Sequence, residues 1–378
     1  MKKKILCILL SAILSICTVS FNVSADFNVD EEIKSSILIE QATGTVLYEK
    51  NADERLSPAS VTKVMTALLV MEAIENGKLK LDDIITVSAN ASAMGGSQIF
   101  LEIGEEISVT ELLKGMMVAS GNDAAVAFAE ALGGTTESFV GMMNKKAEEL
   151  GLTNTHFMNC HGLDEEDHYT SARDIAIMSS ELLKHEKILE FTSIWTDSIR
   201  DGKTSLANTN KLVRFYDGCD GLKTGSTSVA KCCISATAKK NNMRLISVVM
   251  AAPTTDMRFA AVRQMFDYGF ALKEIASVEK KEMGTVSVLG GVKKEFKIGT
   301  EGANMLIDKG VSAKITYETV IEQDITAPVS EKQVVGKVKA TLDGEELFSC
   351  DIVALESVER VSFLHIFRDL ILSMSKRI

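Results

Sequence analysis

The 378-residue chain contains no Cys-x-x-Cys pair and no His-x-x-x-His pair, so the usual ligand spacings of a zinc site are missing. It has no surplus of positive charge either. Asp and Glu outnumber Lys and Arg by 52 to 41, a formal net charge of -11, which argues against nucleic acid as a partner. No internal repeat and no low-complexity segment interrupts the pattern. Cysteine is scarce and uneven: beyond the N-terminal leader only Cys160, Cys219, Cys232, Cys233 and Cys350 remain, an odd number in a long chain, which excludes a disulfide framework. Cys232-Cys233 is read as filling a strand.

What is present begins with an export signal. Lys2, Lys3 and Lys4 precede the mostly apolar stretch Ile5–Val19, and Val23-Ser24-Ala25 fits a signal-peptidase site. Cleavage after Ala25 removes three lysines and no acids, taking the charge from -11 to -14. At the other end, Val361, Phe363, Leu364, Phe367, Leu370, Ile371, Met374 and Ile378 recur at helical spacing. Arg368-Asp369 makes this run too charged to span a bilayer. It reads as a helix lying in a membrane surface, with Lys376 and Arg377 near anionic head groups. The alternative is a helix packed on its own protein or on a second copy, and His365 is read as an interface residue.

Between these ends, Ile37–Glu40 and Thr45–Lys50 read as a hairpin, Cys232–Ala238 and Leu245–Ala252 as strands, and Arg258–Phe270 as an amphipathic helix. One antiparallel sheet built from both ends of a domain, with helices inserted between, follows from that order. From about 280 the pattern becomes short strands: Thr285–Leu289, Ala313–Thr316, Val334–Leu342 and Glu346–Val353. The expected organisation is α+β: a signal at 1–25, a larger domain at 26–278, a small all-β domain at 279–355 and the amphipathic helix at 356–378.

The stretch Ser57-Pro58-Ala59-Ser60-Val61-Thr62-Lys63 reads as a helix start, with Ser57 as N-cap and Pro58 at the first helical position. Ser60 then lies in the first turn, where free N–H groups favour developing negative charge, and the Lys63 amine can reach its hydroxyl. A serine beside a lysine of depressed pKa is an activated nucleophile with its base. Alternatively Ser60 is a second capping residue and Lys63 a surface charge. Ser-x-x-Lys also occurs at Ser228/Lys231, Ser277/Lys280 and Ser373/Lys376, but only the first opens a long apolar helix. His156, His161 and His168, five and seven apart in a turn-rich segment, are read as hydrogen-bonded structural histidines, and the acidic run Asp164–Asp167 as a solvated loop.

Ser60-x-x-Lys63, Ser120-Gly121-Asn122 and Lys223-Thr224-Gly225 follow one another in that order. Together with Ile37-Leu38-Ile39-Glu40, Gly44–Tyr48, His156-Phe157, His161-Gly162-Leu163-Asp164 and Asp220-Gly221-Leu222, they resemble the low-molecular-mass penicillin-binding proteins, the D-alanyl-D-alanine carboxypeptidases. The resemblance covers about 30–355, and the terminal helix is similar to that family's membrane anchor. It implies a β-lactamase/transpeptidase-like domain that removes the last D-alanine from peptidoglycan stem peptides ending in D-Ala-D-Ala, without cofactor or metal, and that β-lactams acylate. It implies a location on the outer face of the cytoplasmic membrane.

By the same resemblance Ser60 is the acylated nucleophile, Lys63 its base and Ser120 a proton relay to the leaving amine. Asn122 bonds the substrate backbone, and the N–H groups of Ser60 and Ser226 hold the oxyanion. Gly225 allows close approach of the substrate. Lys223 helps to keep Lys63 neutral, and Lys223, Thr224 and Arg258 face the substrate carboxylate. Two positions depart from the family's pattern: Lys231, where a glycine is usual, and the paired Cys232-Cys233. Other readings are a D,D-endopeptidase, a serine β-lactamase, or a non-catalytic β-lactam or stem-peptide sensor. The β-lactamase reading lacks the Glu-x-x-Leu-Asn stretch that commonly supplies its deacylation base.

Overall fold

The structure is a computed structural model that describes residues 27–363 and 365–367. The expected signal segment and most of the expected terminal helix lie outside the described residues.

Strand β1 (Ser35–Glu40) turns through Gln41–Thr45 into β2 (Val46–Lys50). Its apolar residues serve both faces: Ile37 and Ile39 enter one core, while Leu38 enters the other. That is why β1 reads as a continuous apolar run rather than an alternating one. Two short pairs follow, β3 (Ile84–Thr86) with β4 (Glu106–Ser108) and β5 (Thr196–Ile199) with β6 (Thr204–Ala207). Then come β7 (Cys219–Thr227), β8 (Lys231–Lys240) and β9 (Met243–Ala252). The sheet order is β2-β1-β9-β8-β7, and every pairing is antiparallel. The sheet is thus closed by chain segments from both ends of the domain, and β7 is left as an edge.

Helix Thr255–Leu272 covers one face of this sheet through Phe259, Val262, Met265 and Phe266. A block of helices covers the other. At its centre runs Lys63–Glu75, whose sequence is apolar all round, as a fully buried helix requires. Helix Asn122–Gly133 buries four of its five alanines, small enough to pack close beside it.

After helix Thr255–Leu272, β10 (Lys273–Val278) pairs with β13 (Ala303–Asp308), a ladder that spans the boundary expected at 279. The remaining strands are β11 (Lys281–Ser287), β12 (Glu295–Thr300), β14 (Thr316–Ile321), β15 (Val334–Leu342) and β16 (Glu345–Ala354), in the order β11-β12-β16-β15-β14. The strand expected at Ala313–Thr316 is instead a single 3-10 turn, Ser312–Lys314, leading into β14. Asp343-Gly344, both with positive φ, forms the two-residue turn between β15 and β16. After β16, Phe363 and Phe367 stack on one another, and both are exposed, as is Ile366. Among the described residues no helix is long and apolar enough to cross a membrane.

Candidate active site

The helix at Lys63 starts differently from the expected Ser57 cap. A 3-10 turn, Ala59–Thr62, precedes it, Pro58 stands in the N-cap place, and the Ser57 hydroxyl instead donates to Asp164. Ala59, just before Ser60, has φ +49°, a left-handed conformation that alanine adopts only at a cost. Tertiary contacts hold it there. Thr62 Oγ1 donates to the Ala59 carbonyl at 2.8 Å, and His168 Nε2 lies 2.8 Å from the same hydroxyl. Because the Met158 N–H donates to His168 Nδ1, it is Nε2 that carries the proton and donates to Thr62. At Gly162 (φ +94°) an added Cβ would fall 1.9 Å from the Ala59 carbonyl oxygen, so only glycine fits behind the nucleophile turn.

Lys63 is fully buried, and its Nζ is 3.0 Å from Ser60 Oγ, 2.6 Å from Asn122 Oδ1 and 2.7 Å from the His161 carbonyl. Burial lowers its pKa to about 7, so a large share of the amine is unprotonated near neutrality. The two carbonyl oxygens, of Asn122 and His161, accept N–H bonds from the neutral amine and so leave its lone pair aimed at the serine. His161 and His168 are held by burial at about 3 and about 4, so both are neutral hydrogen-bonding groups.

Ser120 (φ +66°) and Asn122 lie at the start of helix Asn122–Gly133 and form the second wall. Asn122 Nδ2 donates to the Gly95 carbonyl, which fixes the amide so that Oδ1 faces Lys63. Buried Asp123 accepts from the N–H groups of Ile99 and Leu101 and so ties the 95–101 loop to this wall.

The edge strand β7 is the third wall. Lys223 is fully buried and donates to the Thr224 carbonyl; burial, Lys63 and Arg258 drive its pKa well below the ordinary lysine value. Thr224 Oγ1 donates to Thr209 Oγ1 at 2.6 Å, and the Thr209 N–H donates to the Val118 carbonyl, linking this strand to the segment before Ser120. Gly225 owes its identity to the enzyme's own backbone: a Cβ there would stand 2.7 Å from the Ser60 nitrogen and 2.9 Å from the Pro58 carbonyl. Ser226 is exposed at the strand's end. Arg258 is buried. Its guanidinium bonds the carbonyls of Gly225 and Cys233, and its Nε has no hydrogen-bond partner among the described residues. Cys232 and Cys233 sit on β8 opposite Ser226 and Gly225. Lys231 has φ +57°, the conformation glycine supplies freely, at the end of the β7–β8 hairpin loop.

The structure therefore brings Ser60, Lys63, Asn122, Lys223, Thr224 and Gly225 into one cleft, with Ser120 and Ser226 on its walls and Arg258 behind β7. Sequence reasoning missed Thr209, the His161 carbonyl, the Thr62–His168 support and the bridging carboxylate of Asp164. The one available signal was the His161–Asp164 stretch. Among the described residues no group of three or more His, Cys, Asp or Glu side chains could hold a metal ion.

Known proteins resemble this chain along most of its length. Residues 21–254 match the family model for D-alanyl-D-alanine carboxypeptidase, and residues 270–360 match that for the C-terminal domain of penicillin-binding protein 5. The chain is 47% identical to the D-alanyl-D-alanine carboxypeptidase DacF of Bacillus subtilis over 88% of its length and 87% of that protein's. It is 36% identical to DacC of Escherichia coli, covering 88% and 86%. Among solved structures, penicillin-binding protein 5 from Haemophilus influenzae superposes with a TM-score of 0.70 at 33% identity, over 88% of this chain and 99% of that one. The ampicillin-bound penicillin-binding protein D2 of Listeria monocytogenes superposes with a TM-score of 0.60 at 32% identity, over 65% and 100%. With both of its folded parts matched and its three walls assembled around one buried lysine, the chain belongs to the D-alanyl-D-alanine carboxypeptidase family.

Proposed function

We propose that the chain is a serine-type D-Ala-D-Ala carboxypeptidase acting on peptidoglycan stem peptides, and that β-lactams acylate it at Ser60. The observation that carries this reading is Lys63, fully buried, 3.0 Å from Ser60 Oγ and with a pKa lowered to about 7. In the proposed reaction Ser60 Oγ attacks the last peptide carbonyl while neutral Lys63 takes its proton. The N–H groups of Ser60 and Ser226 receive the negative charge on the tetrahedral oxygen. Ser120 passes a proton to the departing D-alanine nitrogen, and Asn122 bonds the substrate backbone. Water then hydrolyses the ester.

Three buried basic side chains, Lys63, Lys223 and Arg258, form no salt bridge with a carboxylate among the described residues, and of these the Arg258 guanidinium keeps its charge. Buried charge without a partner is costly, and a terminal carboxylate bound at Thr224 and Lys223 would supply the missing counter-charge. Arg258 would act on it through the strand it braces. In a β-lactam the leaving group stays attached, which slows deacylation.

The finer placement follows the two ends. Export after residue 25 leaves the enzyme outside the cytoplasm, and exposed Phe363, Ile366 and Phe367 start the apolar side of a helix that would lie in the membrane surface. The domain limits proposed for the chain stay as read from the sequence, with the smaller unit as a spacer between enzyme and membrane. The test is D-alanine release from a soluble peptide ending in D-Ala-D-Ala, with and without penicillin. Release that penicillin blocks is expected. A stable penicillin adduct at Ser60 without release would instead indicate a cross-link endopeptidase or a sensor. Sedimentation with anionic vesicles tests the anchor: deletion of 362–378 should abolish it.

A further inference from the structure

The acidic run Asp164-Glu165-Glu166-Asp167 reads as a solvated loop, yet its first member behaves differently from the rest. Asp164 Oδ1 accepts the Ser57 hydroxyl at 3.0 Å and the Thr227 hydroxyl at 2.7 Å. The carboxylates of Glu166 and Asp167 make no hydrogen bond among the described residues, and Glu165 bonds only Asn159. Ser57 lies three residues before the nucleophile, and Thr227 directly follows Ser226 on β7. One carboxylate oxygen therefore spans the mouth of the cleft, from the nucleophile turn to the end of the substrate strand.

We propose that Asp164 is a positioning residue for acyl transfer: by bridging Ser57 and Thr227 it fixes the separation of the two backbone segments that form the oxyanion hole. The mount is rigid. Its loop is anchored by the His161 carbonyl on Lys63, by Gly162 against Ala59, and by Asn159, which accepts from the N–H groups of His161 and Gly162. The far end of the bridge is ordered too, because Thr227 Oγ1 accepts the Ala230 N–H and so shapes the β7–β8 turn. β7 is an edge strand, paired on one side with β8, whose Cys233 thiol reaches the Ser57 carbonyl at 3.8 Å; among the described residues the Asp164 bridge adds a tie from hydroxyl to hydroxyl between the end of β7 and the Ser57 turn. A carboxylate accepting two hydroxyl donors makes stronger bonds than a neutral acceptor would, which suits an exposed position. The role rests on the acyl-transfer reading above, since an oxyanion hole matters only if Ser60 is acylated.

The test is the rate of acylation of residues 26–378 by a chromogenic β-lactam, with thermal midpoints measured in parallel, for the wild type, Asp164→Ala, Asp164→Asn and Thr227→Val. Asp164→Ala and Thr227→Val should each slow the acylation step about tenfold or more, since small misplacement of a preorganised site is costly in rate. Combining them should slow it no further, because both remove one bridge. Asp164→Asn keeps a carbonyl acceptor for both hydroxyls and should recover most of the rate. A merely structural role would lower the midpoint and leave the per-molecule rate of folded enzyme unchanged. Wild-type acylation in Asp164→Ala, equal slowing in the Ala and Asn variants, or additive slowing in the double variant would each overturn the role. Should Asp164→Ala fail to fold, Asp164→Asn and Thr227→Val decide alone. A wild-type protein that forms no adduct would overturn the acyl-transfer reading instead.

Discussion

Lysine lives two different lives in the two parts of this chain. In the larger part Lys63 and Lys223 have no exposed surface and, among the described residues, no carboxylate salt-bridge partner, and burial depresses both. In the smaller part Lys297 and Lys337 are exposed and Lys339 half-buried on strands, paired with Glu282, Asp351 and Glu346. The same side chain is a base in one setting and a solubilising charge in the other. The difference is the water each ammonium has lost, because a proton held without water or a counter-ion is held weakly.

The sharpest way to break the contrast is Lys63→Met. D-Alanine release and penicillin labelling should fall at least about a thousandfold, as for loss of the base in other nucleophile–base sites. The variant should also melt at a higher temperature. Folded Lys63 has its pKa near 7, whereas the unfolded chain takes the proton below about 10.5, so wild-type stability falls as pH drops from 10.5 to 7. The gain from Lys63→Met should therefore be greater at pH 6 than at pH 10, which two melting series would check. An equal or lower midpoint at pH 6 would contradict the buried-amine account.

Next in size is Gly162→Ala. Its Cβ would collide with the Ala59 carbonyl, so stability should drop by about 2 kcal/mol or more, and the remaining folded protein should label slowly with penicillin. A chemical denaturation curve and a labelling time course separate the two effects.

The third expectation concerns pH itself. Since the neutral form of Lys63 is the base, the acylation rate should rise about tenfold per pH unit below 7 and flatten above it. A rate that declined as pH rose through 7 would mean that the protonated amine is the active form.

The smallest effects lie on the surface. Lys231→Gly relieves a left-handed lysine and should stabilise by about 0.5 kcal/mol, while Lys339→Met, which removes only a surface pair, should stay within about 0.5 kcal/mol of wild type. Thermal midpoints suffice for both. A large loss from Lys339→Met would erase the distinction between the two parts.

Much of this was legible in the residues. The alternation and apolar runs of Ile37–Lys50, Cys232–Ala238 and Leu245–Ala252 announced the sheet, and an apolar helix behind Ser60 set that Ser-x-x-Lys apart from three others. The strands β12 and β13 were not legible: Glu295–Thr300 and Ala303–Asp308 mix charged, glycine and apolar residues, and although β12 pairs with neighbouring β11, its other partner β16 and β13's partner β10 lie further along the chain. Ser57 misled for the same kind of reason. A serine before Pro-Ala-Ser has every local mark of a cap, and only the approach of Asp164 decides that its hydroxyl points elsewhere.

By itself, then, the sequence determined which groups are available, their order, and which stretches must be buried, because periodicity and composition act over a few neighbouring residues. The tertiary structure alone decided that Lys63 is dry enough to be a base, that Gly225 and Gly162 yield to the Ser60 turn, and that one carboxylate of an acidic run spans the cleft. Those properties come from desolvation and from contacts between segments 98 or more residues apart, and no local pattern of residues encodes them.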